Sequence, residues 1–239
     1  MYAKPLFVLI ALLLAAKLSF ASEPISVVTT HWPPYINENA ATDFTRTVMN
    51  EAFALSGIKT KVSFIPWKRA LDDVEKGRYD AVAAIYSSPE RLDKLLFSAP
   101  LYGSELVLLR KENATKGADI KDQIFGVVRG YSNSEWIDDT TDIIKTFAKS
   151  DAHNLALLDK DRTDICVIER NVAEFILNSQ GKSIDDYLVP SAAIEFKPFY
   201  IAFPRIKHNS KDLLSAFNSG FIQLMLSGRL KQISEEYLK

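Results

Sequence analysis

Residues 71–84 (LDDVEKGRYDAVAA) and residues 155–168 (LALLDKDRTDICVI) follow one plan at an offset of 84 positions. Each begins with apolar residues at helical spacing, passes through a basic turn, and reaches an aspartate just before an apolar run. The turns are Lys76-Gly77-Arg78-Tyr79-Asp80 and Lys160-Asp161-Arg162-Thr163-Asp164. A short run that is apolar throughout suits a parallel strand covered on both faces. Two readings are open: helix-to-strand turns in general share this grammar, or the chain holds two lobes of related topology. In the second case two α/β sheets face each other across a cleft. Open α/β sheets bind ligands beyond the carboxyl ends of their strands, and a hinge would close such a cleft.

The flanking pattern extends the plan. Residues 25–30 (ISVVTT) read as a strand, 44–55 as a helix stopped by Gly57, 59–65 as a strand, 67–76 as a helix and 80–86 as a strand. The order β-α-β-α-β is that of a wound parallel sheet. Further strands are expected at 105–109, 124–128, 143–148, 165–168 and 200–203. A helix is expected to start within 132–138, and others to span 152–159, 170–177, 211–226 and 230–237.

The first 21 residues read as a signal peptide. Lys4 supplies a positive start, residues 5–16 (PLFVLIALLLAA) an apolar stretch, and Ser19-Phe20-Ala21 small residues at the −3 and −1 positions. The stretch ends at Lys17, short of the roughly 20 residues a spanning helix needs; the alternatives are an uncleaved anchor or a buried N-terminal helix. Cleavage after Ala21 leaves 218 residues carrying 27 basic and 30 acidic side chains, a net −3. That near-balance gives no footprint for nucleic acid or for an anionic membrane surface. Cys166, the sole cysteine, cannot make an internal disulfide and sits in an apolar run, which reads as a buried small hydrophobe. His31, His153 and His208 have no metal-ligand spacing and read as surface or capping residues, so neither a metal nor a cofactor is expected.

Six markers in chain order carry a family resemblance: Trp32-Pro33-Pro34-Tyr35, Pro66-Trp67-Lys68-Arg69-Ala70, Gly77-Arg78-Tyr79-Asp80-Ala81, Glu90-Arg91, Phe97-Ser98-Ala99-Pro100-Leu101-Tyr102, and Leu226-Ser227-Gly228-Arg229-Leu230 before Ile233 and Tyr237. Over essentially all of the mature chain, the sequence resembles the bacterial extracellular solute-binding proteins of the polar amino-acid type, family 3. The resemblance implies a periplasmic binding protein-like type II α/β fold, with two lobes joined by two crossover strands around a ligand cleft. It places residues 22–103 and 201–239 in lobe one and 104–200 in lobe two. It also implies a monomeric periplasmic protein that takes a small polar solute to an ABC permease of the inner membrane. Two other functions occur on such a scaffold: a cyclohexadienyl dehydratase-like enzyme, and a sensory protein that presents its solute to a receptor.

The residues that would do this work fall at predicted strand ends and turns. The Arg91 guanidinium is a planar fork that fits a carboxylate, and the resemblance gives it a ligand α-carboxylate. Glu169 follows the strand at 165–168; the resemblance gives it a ligand ammonium, although Arg170 or Arg129 would serve equally as its partner. Arg129, Gly130, Tyr131 and Ser132 form a glycine turn at a helix start, where unpaired N–H groups attract an anion. Trp32, Tyr35, Trp67 and Tyr86 supply flat walls, and Arg69 either orients a carboxylate or supports its helix. The sequence departs from the amino-acid binders at Ala84 and Tyr86, where small hydroxyl residues are common, and at Arg129, where a neutral residue is usual.

Overall fold

The computed structural model describes residues 23–111, 122–189 and 193–238; the segment read as a signal peptide lies outside them. Strand β1 (Ile25–Thr29) leads through a turn to helix α1 (Phe44–Ala54), followed by β2 (Thr60–Phe64), α2 (Trp67–Glu75) and β3 (Ala81–Tyr86). A short helix α3 (Pro89–Lys94) and strand β4 (Leu95–Phe97) precede the long strand β5 (Tyr102–Lys111). Then come β6 (Ile124–Val128), α4 (Glu135–Asp139), β7 (Ile144–Ala148), α5 (Asp151–Asp159), β8 (Ile165–Glu169) and α6 (Arg170–Ser179). The two-residue β9 (Tyr187–Leu188), the long β10 (Glu195–Pro204), α7 (Ser210–Leu226) and α8 (Arg229–Tyr237) complete the order.

The strands hydrogen-bond in the order β2-β1-β3-β10-β5-β8-β6-β7. Three strands at each end are parallel, and the two long strands β10 and β5 run antiparallel between them. The molecule is therefore two wound parallel halves joined by a pair of ten-residue strands.

The 84-position offset is realised in detail. Helix α2 starts at Trp67 and α5 at Asp151; they end at Glu75 and Asp159, and the strands after them begin at Ala81 and Ile165. Gly77 and Asp161 both turn the chain with positive φ, +73° and +53°. Asp80 accepts from the backbone N–H of Ser26 at 2.8 Å and donates its own N–H to the Ser26 carbonyl. Asp164 does the same with Ile124, also at 2.8 Å. In each half the aspartate before the buried strand pins the start of the neighbouring strand, which is why both turns carry it. The repeated turns belong to two units of related topology.

Three expectations about elements are corrected. Strand β10 begins at Glu195 rather than at residue 200, because residues 195–199 pair with β5 while the rest pairs with β3 and β4. Strand β5 likewise extends beyond 105–109 at both ends. The helix expected from residue 132 starts at Glu135: Ser134 caps it by accepting from Ile137 N–H, and Asn133 is held by Asp138.

Helix α1 shows how packing follows from pattern. Asp43 accepts from Arg46 N–H at 2.7 Å as its N-cap, and Phe44, Val48, Met49, Ala52 and Phe53 are buried on one face. That face meets α7 at Gly220, where an added Cβ would lie 2.1 Å from the Ala52 carbonyl oxygen. Cys166 is fully buried in the core, where burial pushes its thiol pKa up, the condition of an inert cysteine.

Candidate functional site

The carboxyl ends of β1 and β3 in the first half face the turn after β6 and the end of β8 in the second. Between them lies a narrow slot lined by Thr29, Thr30, Trp32, Trp67, Ala84, Tyr86, Arg91, Tyr131 and Ser132. A second, small space shares Trp32, Tyr86, Tyr131 and Ser132 with it and reaches Asp151 and Glu169.

Arg91 is held by helix α3, which Ser88 caps and Pro89 starts. The side chain is 5% exposed. One Nη donates to the Tyr86 carbonyl at 2.6 Å, the other to the Gly130 carbonyl at 2.7 Å. Trp67 Nε1 donates to the same Gly130 oxygen at 2.8 Å. Gly130 thus ties the second half to the first. Its φ is +82°, which favours glycine, and an added Cβ would stand 3.1 Å from Lys68 Cδ, so Lys68 would have to give by a few tenths of an ångström. No carboxylate among the described residues forms an ion pair with Arg91, and burial lowers its pKa to about 10. It remains a cation at neutral pH.

Glu169 is 3% exposed at the end of β8. One carboxylate oxygen accepts from Val172 N–H at 2.8 Å and so caps α6; the other accepts from Tyr35 Oη at 3.0 Å and from Glu105 N–H at 3.3 Å. Burial raises its pKa to about 7, against the lowering effect of those donors. Arg170, one of the partners open from the sequence, turns instead to Glu105 at 2.8 Å.

Tyr35 is corrected from pocket wall to core. It is fully buried, donates to Glu169 and accepts from Asn171 Nδ2 at 2.8 Å, because the bridge between Trp32 and Ile36 folds the turn inward. Arg69 lies exposed on α2, with Nε 3.6 Å from Asp73, which fits the helix-supporting one of its two readings rather than the carboxylate contact. Arg129 is the second correction. Its guanidinium sits over the exposed Phe147 ring at 5.4 Å, just past the end of β6, and is not among the residues that line the slot. Tyr131 and Ser132 do line the slot, but from an extended turn rather than a helix N-terminus.

Trp32 stands edge-on to Tyr86, with ring centroids 5.6 Å apart at 89°. Tyr86 Oη is 2.7 Å from Ser104 Oγ, and Lys197 Nζ lies 5.3 Å from the Tyr86 ring centroid. Sequence reasoning missed Lys197 and Asp151, and it noted Ala84 without its backbone strain. Lys197 is nearly buried, donates to the Asn133 carbonyl and lies 3.7 Å from Glu195; its signal was a lone lysine in an apolar strand. Asp151 was hidden behind the capping pattern Ser150-Asp151. Ala84 has φ +57° at a register shift between β3 and β10, a conformation that a non-glycine residue rarely adopts.

Two wound halves, joined by two long strands and closing on a slot with a buried cation and a buried carboxyl group, define a type II periplasmic binding fold. The sequence model described as bacterial extracellular solute-binding proteins, family 3, matches residues 25–239. The chain belongs to that family of solute-binding proteins. A comparison with curated proteins gives no match. Among solved structures, similarity extends to a histidine kinase sensor domain resembling periplasmic binding proteins (TM-score 0.79, 17% identity, 91% of this chain and 97% of that one). It extends also to an amino acid ABC transporter substrate-binding protein from Streptococcus pneumoniae bound to L-arginine (0.73, 16%, 90% and 94%). A third is an ancestral amino acid-binding protein described as a precursor of cyclohexadienyl dehydratase (0.72, 18%, 90% and 95%). At these identities the likeness is one of fold.

Proposed function

We propose that this protein works in the periplasm, captures a small polar solute, an amino acid or a related carboxylate, by hinge closure, and delivers it to an ABC permease. Residues 22–103 with 201–239 form one lobe and 104–200 the other, with β5 and β10 as the crossover strands. The observation that carries the reading is Arg91: a buried guanidinium at the slot, hydrogen-bonded to carbonyls and without a carboxylate partner among the described residues. A buried cation needs an anion, and its fork fits a carboxylate. Glu169, on the other lobe, receives the solute's ammonium group. A thermal-shift screen of amino acids, dicarboxylates and amines tests this. A ligand at 100 times its Kd adds about 2.7 kcal/mol, and Arg91→Ala should abolish the shift. If no polar solute raises the melting temperature, the reading fails. Pull-down from membranes then tells a permease partner from a receptor.

A second reading draws on Glu169, whose pKa of about 7 suits a general acid. On that reading the protein is a cyclohexadienyl dehydratase-like enzyme. Incubation with prephenate or arogenate decides it: an aromatic product supports the enzyme, and its absence removes it.

A further inference from the structure

The slot is not electrically balanced, and the imbalance bears on what it holds. Asp151 stands at the start of α5, 4% exposed, and lines the inner end of the slot together with Glu169. Its carboxylate accepts from Tyr131 Oη at 2.7 Å and forms no ion pair among the described residues. Glu169 is met by a hydroxyl and backbone N–H groups, again without a cation. Arg91 supplies one unmatched positive charge, whereas Lys197 lies near Glu195. A separate observation also points to a ligand: Trp32, 4% exposed, lines both parts of the slot, and its Nε1–H has no acceptor among the described residues. Donors without an anionic acceptor at one end and two carboxylates without a cation at the other describe a mould for a charged molecule.

We infer that the solute carries a net positive charge: a carboxylate on Arg91, with Trp32 Nε1–H donating to one of its oxygens, one ammonium at Glu169, and a second cationic group at Asp151. This rests on the reading above and narrows it to basic amino acids. Buried charges are tolerated when paired, and a molecule with one anionic and two cationic groups pairs all three. At pH 7.5, above the titration of Glu169, a neutral zwitterion leaves one carboxylate unmatched.

Isothermal titration at pH 7.5 with L-lysine, L-ornithine and L-arginine, against the uncharged isosteres L-norleucine, L-norvaline and L-citrulline, tests the inference. The cationic member of at least one pair should bind about 30-fold or more tighter, the scale expected for a buried charge pair. Asp151→Asn, checked for folding by its melting curve, should erase that preference while keeping the affinity for the isostere. Equal affinities within every pair in the unsubstituted protein overturn the inference whether or not the variant folds, as does a preference that survives in a folded Asp151→Asn. Binding of an uncharged or acidic amino acid without such preference sinks this inference alone. Binding of no amino acid, dicarboxylate or amine sinks the solute-capture reading with it.

Discussion

Glu169 gives the stability of this protein a pH dependence that one substitution should remove. The carboxyl titrates near 4.5 when free and at about 7 in the folded protein, because burial beside Tyr35 and Tyr86 penalises its charge. A shift of about 2.5 units corresponds to about 3 kcal/mol at 1.36 kcal/mol per unit. Below pH 4.5 the group is protonated in both states and the full contribution is present. As pH rises, the unfolded chain releases a proton that the folded protein retains, so stability falls. The loss is complete about a unit above pH 7. Glu169→Gln keeps the size of the side chain and cannot ionise. Its absolute stability will differ, since an amide nitrogen now meets donors that faced an oxygen. Its pH profile between 5 and 8 should nonetheless be flatter than that of the unsubstituted protein by about 2.5 kcal/mol, or roughly 5–10 °C in melting temperature for a domain of this size. Thermal melts followed by circular dichroism at pH 5, 6, 7 and 8, without added solute, measure it. A gap between the two proteins that stays constant across that range would refute the reasoning.

Two further substitutions probe the frame that holds the slot. Gly220→Ala drives a methyl group into the Ala52 carbonyl, so α1 and α7 must part; a loss of about 1–3 kcal/mol is expected in urea unfolding, and an unchanged midpoint would count against the packing described. Ala84→Gly relieves a left-handed residue and should raise the urea midpoint by the equivalent of about 1 kcal/mol; a lower midpoint would show that φ +57° carries no strain.

Much of the fold was legible in the sequence because its signals are short-range. The paired turns at residues 76–80 and 160–164 announced themselves through helical spacing, a basic turn and a fixed aspartate, and each aspartate acts within its own unit. Arg91 was legible for a related reason, since Ser88 and Pro89 start the short helix that carries it. The chain's own pattern could not show that Tyr35 lies in the core while Arg69 and Arg129 face solvent. Those outcomes depend on which side of a turn, helix or strand end meets the other elements. Nor did it show the pairing of Asp151 with Tyr131 or the meeting of Arg91 with the Gly130 carbonyl, which join residues 20 and 39 positions apart.

Local pattern thus outlined most of the strands and helices in order, left the two units as one of two readings, and put Arg91 and Glu169 beside strand ends. Only the tertiary structure decided which charges are left without partners there. Periodicity and turn chemistry are properties of neighbouring residues. Charge balance in a buried slot is a sum over side chains brought together from different elements and screened from water by the packing itself.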